Sequence, residues 1–115
     1  MRVQFHGLPV AVIASLLLSG CINMSTPTSQ ITGSPGPERK YEEYTCAALA
    51  DELGALARRE VQLAAAQERR VKSSNVQALI LGVGQGDGVE ATELAKVRGE
   101  KESVRKAMYA KQCGA

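Results

Sequence analysis

The sequence predicts an all-α fold, an antiparallel two-helix hairpin, on three observations. Apolar residues recur at heptad spacing in two separate stretches. An uninterrupted set of alternating glycines, Gly82, Gly84, Gly86 and Gly88, separates them. The two stretches are of matching length, and one cysteine stands at the outer end of each.

The first 20 residues read as an address label outside that fold. Met1 to Gly7 carries Arg2 and no acid, and from Leu8 to Leu18 only Pro9 and Ser15 interrupt an apolar run. Such a run fits the roughly 7–15 residue core of a secretory signal. It falls short of the roughly 20 apolar residues that a transmembrane helix needs.

Leu18-Ser19-Gly20-Cys21 directly follows this run. Residues 1–21 resemble the export signal of bacterial lipoproteins, with these four residues matching the lipobox. The resemblance implies diacylglyceryl transfer to the Cys21 thiol, cleavage before it and acylation of the new amine. Ile22 stands where inner-membrane retention typically places Asp, which implies sorting to the outer membrane, facing the periplasm. Two or three acyl chains give a stable anchor where one would be marginal.

Cleavage leaves 95 residues with 13 basic and 12 acidic side chains, a net charge of +1. That balance is no nucleic-acid footprint, nor the charge excess of an acidic disordered chain. Phe5 and His6 are the only Phe and His and both lie in the signal, and there is no Trp. Abundant Ala with few large apolar side chains predicts helices packed closely through small residues.

Residues 21–40 are expected to form a disordered tether. They are rich in Ser, Thr and Gly, contain Pro27, Pro35 and Pro37, and show no apolar period. Such a coil averages about 25 Å end to end and stretches to about 60 Å, enough to hold a domain off a membrane.

The hairpin proper is expected at 41–115. Thr45 is the expected N-cap of a first helix at about 42–73. Cys46, Leu49, Leu53, Leu56 and Leu63 form its heptad stripe, with Ala57, Ala64 and Val71 beside it. Glu60 falls on that stripe and is expected to weaken the seam. Gly54 costs about 1 kcal/mol relative to Ala. Ser73-Ser74-Asn75 either ends this helix or loosens it, and Val76–Leu81 is either its extension or a collapsed tip. Val76, Leu79, Ile80, Leu81 and Val83 are the candidate partner-contact patch, because a hairpin offers them few neighbours.

The 82–88 stretch reads as the turn. Its Gly-x-Gly-x-Gly-x-Gly spacing is not a dinucleotide fingerprint, and it lacks a Walker ending. The second helix is expected at 89–112, with Leu94, Val97, Lys101, Val104 and Met108 at heptad spacing. Glu102 and Lys106 form a favourable i,i+4 pair, and Gly99 is a second tolerated helix glycine.

Cys46 begins the first helix and Cys113 ends the second. About 27 residues follow one cysteine and about 25 precede the other, or about 40 and 37 Å, so folding back brings both to the open end. In an exported protein such a pair reads as a disulfide, with two free thiols as the other reading. The fold class is then an all-α antiparallel two-helix hairpin stapled by a disulfide, after a signal peptide and a disordered tether. Tyr41, Tyr44 and Tyr109 are expected around the bridge. The set Tyr41, Tyr44-Thr45-Cys46, Leu49, Glu93 to Glu100 and Lys111-Gln112-Cys113 is also similar to small bacterial lipoproteins in which a helical hairpin carries a cysteine at each end and no activity is assigned.

No catalytic residue is expected. After cleavage there is no His to act as a base, and acids such as Glu42/Glu43 and Asp51/Glu52 are adjacent helix residues that point apart. Two cysteines and no histidine cannot complete a zinc site, so no metal or cofactor is expected. The function expected is a non-enzymatic envelope lipoprotein, held to a membrane through Cys21. It would bind another envelope protein or self-associate, and take neither nucleic acid nor a small-molecule substrate. The alternative is a periplasmic inhibitor or immunity-type lipoprotein that blocks a toxin or hydrolase.

Overall fold

A computed structural model describes residues 23–37 and 39–114; the signal segment and Cys21 lie outside the described residues. Two antiparallel helices dominate, α1 (Cys46–Leu81) and α2 (Val89–Ala110). The Thr45 side chain caps α1 by accepting the Ala48 amide hydrogen at 3.1 Å. At the other end Gly82 takes φ 78°, the left-handed conformation that glycine adopts without a Cβ penalty, and returns its N–H to the Ala78 carbonyl. Ser73-Ser74-Asn75 does not end the helix, and Val76–Leu81 is its extension, so α1 runs eight residues past the expected boundary. The 82–88 stretch connects the helices without helical structure of its own, as expected.

The helices are closed by the Cys46–Cys113 disulfide, with an S–S distance of 2.06 Å and Cα atoms 5.5 Å apart. Between bridge and connection the two heptad stripes meet. Leu49, Leu56 and Leu63 of α1 and Leu94, Val97 and Val104 of α2 are buried, with Leu53 and Met108 packed against them. The charged residues that interrupt each stripe face one another: the Lys101 ammonium and the Arg98 guanidinium both pair with the Glu60 carboxylate, Arg98 at 2.9 Å. The seam therefore carries a cross-helix ion triad where Glu60 alone would weaken it. Glu102 pairs with Arg105 at 2.8 Å, an i,i+3 contact that replaces the expected pairing with Lys106.

The segment expected as a disordered tether is a third layer. Residues 23–37 run from the connecting loop toward the disulfide end, alongside α2 and opposite in direction to α1, with one 3₁₀ turn at Thr28–Gln30. Ile31 is buried in the core, and Tyr41, fully buried, stacks edge-to-face with Tyr44 at 5.2 Å between centroids. Tyr109 is 88% exposed at the disulfide end, lining a surface hollow with Cys113, and stays outside the buried Tyr41–Tyr44 pair. Composition misjudged this strap because its order comes from polar ties more than from buried apolar surface. Its prolines also restrict the unfolded chain and so lower the entropy that ordering costs.

Close backbone approach seats the strap on α2. The Ser34 amide donates to the Ala95 carbonyl at 2.9 Å, and a Cβ on Gly99 would collide with the Ser34 carbonyl. A Cβ on Gly36 would in turn meet the Gly99 carbonyl at 2.6 Å. Gly99 is thus required by the packing, beyond being tolerated by the helix.

Candidate functional site

The heptad register of α1 continues past Leu63 through Gln67, Arg70 and Ser74, all polar. These inward positions bind chain, where the earlier ones bind apolar side chains. The Ser74 hydroxyl oxygen accepts two amides, Gln85 at 2.8 Å and Ser25 at 3.2 Å. The Gln67 amide nitrogen donates to the Thr26 carbonyl at 2.8 Å and to the Asp87 carboxylate at 3.0 Å. Gln67 and Ser74 are completely buried, so these bonds satisfy the Gln67 amide nitrogen and the Ser74 hydroxyl oxygen where water cannot reach, while the Gln67 Oε1 has no partner among the described residues. Arg70 pairs with Glu90 at 3.0 Å, holding the start of α2 at this level.

Two carboxylates are tuned by this arrangement. The Thr26 hydroxyl and then its amide hold Asp87 below the usual carboxylate range, against the opposing effect of burial. Lys101 chiefly, and Arg98 after it, hold Glu60 low in the same way. Arg98 also donates to the Thr28 carbonyl at 2.8 Å and to that of Ile31, so the ion triad grips the strap as well as the seam.

Because Arg70 and Ser74 mark the level of the returning chain, the last turns of α1 project beyond the start of α2. The expected contact residues lie on this projection. Leu79 is 88% exposed and Ile80 and Leu81 are each 73% exposed, with Val76 and Val83 also open to solvent. The structure brings these five together at one end and adds Met24, which docks against Gly84 and which periodicity did not identify; Val89, also exposed, opens α2 further back, where Glu90 pairs with Arg70. Met24 could not be found from the sequence, because only the docking of the strap against Gly84 carries it to this end.

No charged residue occurs between Lys72 and Asp87, nor between Cys21 and Glu38. The loop end is therefore apolar and uncharged over both segments that build it. Arg69 and Lys72 are exposed one to two turns behind. An apolar surface of this kind, backed by charge, is the arrangement of an interaction surface.

The remaining concavities offer less chemistry. A surface cavity of about 560 Å³ lies beside the strap, lined by Gly33–Gly36 and by Glu60, Arg98, Lys101 and Glu102 among others. Its acids are already paired with its own cations. Among the described residues no cluster of three or more His, Cys, Asp or Glu side chains is placed to hold a metal ion. Nor is any described helix long and apolar enough to cross a membrane. No known protein family, curated protein or solved structure matches this chain.

Proposed function

We propose that this chain is a lipid-anchored protein of the bacterial cell envelope, held through Cys21, that acts without catalysis by contact through its apolar end. The observation that carries the reading is the uncharged patch at Leu79, Ile80, Leu81 and Val83, left open on a fold otherwise closed at its seam. The strap and the polar hub at Gln67 and Ser74 hold that patch in one arrangement, which suits a contact surface. The lipobox resemblance at Leu18–Cys21 supports the anchor, and Ile22 after the cysteine supports the outer membrane.

The test is crosslinking and mass spectrometry on intact cells carrying the wild-type chain or Cys21→Ser. An anchored module gives reproducible envelope crosslinks that the substitution abolishes. Links joining only copies of this chain assign it to a structural homo-oligomer. Unchanged fractionation and crosslinks in Cys21→Ser overturn the anchor.

A further inference from the structure

We infer that the apolar end of the hairpin, Leu79, Ile80, Leu81, Val83 and Met24, is seated in the surface layer of the bilayer that holds Cys21. The inference rests on the lipid-anchored reading and assigns an occupant to the same patch.

Chain length carries it. The Asn23 carbonyl and the Met24 sulfur lie against Gly84, in the connection that follows Val83. Cys21 is two residues before Asn23, and two residues span at most about 7 Å. A lipidated Cys21 is therefore held within about 7 Å of Asn23, at the connection end of the hairpin that carries the patch. The strap between residues 23 and 37 is bound to both helices and supplies no slack. The fold cannot stand off the membrane; the end nearest the anchor is the one bearing Leu79–Leu81.

Depth and charge agree with that placement. Val76 to Leu81 is six residues, about 9 Å of helix, against a boundary layer into which interfacial apolar groups sink about 5–10 Å. The end is too short to span and long enough to enter. The uncharged stretch from Ser73 to Gly86 stops at Lys72 on one side and Asp87 on the other. Arg69 and Lys72 then stand at headgroup level, where cations meet anionic lipid. Of the acids near this level, Asp87 and Glu90 are engaged by Thr26, Gln67 and Arg70, and Glu68 accepts from the Thr28 hydroxyl.

The test places the photoreactive residue benzoyl-phenylalanine at position 80, and separately at position 109, in the full chain expressed in a Gram-negative host. Tyr109 is 88% exposed at the disulfide end and serves as the reference. The same cells are fed an alkyne palmitate analogue, which reports the anchor independently. The expected result is a palmitate-labelled chain that gains the mass of a whole phospholipid on irradiation at position 80 and not at position 109. A labelled chain whose position 80 links only to protein, foreign or a second copy, overturns the seat and leaves the anchor standing. So does a labelled chain with no adduct at position 80, or with equal lipid adducts at both positions. A chain without palmitate label overturns the anchor itself, and the seat with it.

Discussion

The carboxylate of Asp87 accepts two hydrogen bonds from Thr26, one from the backbone amide at 2.7 Å and one from the hydroxyl. This contact joins the start of the described chain to the connection between the helices, 61 residues later. Asp87→Ala leaves the Thr26 groups and one Gln67 donor without their acceptor. The expected cost is about 1–2 kcal/mol, since the lost bonds were made to a charged group. Hydrogen exchange should rise at residues 24–34 while the middle of α1, around Leu56 and Leu63, stays protected.

Acid should loosen the same contacts. Asp87 and Glu60 are held below their ordinary values of 3.8 and 4.5 in the folded chain. As pH falls, the unfolded chain takes up these protons first, so folding loses stability from about those values downward. The loss is complete once the folded carboxylates are themselves protonated. Denaturant midpoints measured from pH 6 to pH 2 should fall through this window. Glu60→Gln should reduce the slope.

Two helix glycines should respond in opposite directions. Gly99→Ala drives a methyl into the Ser34 carbonyl and should displace the strap, at a cost of about 1–3 kcal/mol. At Gly54 an added Cβ meets only the end of Arg58, at 3.5 Å, so Gly54→Ala should stabilise by about 1 kcal/mol. Thermal melts of the two variants decide this; equal signs would contradict the close approach at Gly99.

Reduction of the bridge should be the largest single perturbation. Cys46 and Cys113 are 67 residues apart, and closing a loop of that size contributes about 4 kcal/mol on the chain-entropy account. For a chain of this size that corresponds to a fall in Tm of roughly 20 °C. Melting with and without reductant, and of Cys113→Ser, measures it.

Arg98→Met keeps an unbranched apolar stem of similar length to that of Arg and removes the guanidinium. It frees the Thr28 and Ile31 carbonyls and leaves Glu60 with Lys101 alone. Stability should fall by about 2–3 kcal/mol, the range for losing hydrogen bonds to a charged donor. Conversely, Lys106→Met should change little, since Glu102 pairs with Arg105.

The hairpin was legible because leucines at Leu49, Leu56 and Leu63 and their partners on α2 obey a period that burial imposes. The cysteine pairing was read from matched helix lengths, a match the structure does not keep, since α1 has 36 residues and α2 22; the cysteines still meet because the extra turns of α1 overshoot at the opposite end. Glu60 looked like a flaw in its stripe, since one-dimensional periodicity cannot show that Lys101, at a stripe position of α2, faces it. Gln67 and Ser74 were missed for a related reason. They keep the register of Leu63, but an inward polar side chain is recognisable only when its partner is known, and the partners are strap and loop backbone. The strap's own composition signals disorder, because Ser, Thr and Gly order only where complementary groups already wait. Val76, Leu79, Ile80, Leu81 and Val83 are exposed at one end of the hairpin, and Met24 joins them through tertiary docking alone.

The strap is synthesised first and can be seated only last. Thr26 waits for Asp87, and Thr28 waits for Arg98, 70 residues further along. Until both helices have emerged and paired, the stretch beside Cys21 has nothing to bind and remains a slack leash. Docking then takes up that slack along the length of the hairpin. With the anchor proposed at Cys21, maturation would begin with the protein trailing freely from the bilayer and finish with it hauled in flush, the winching force supplied by its own tertiary contacts.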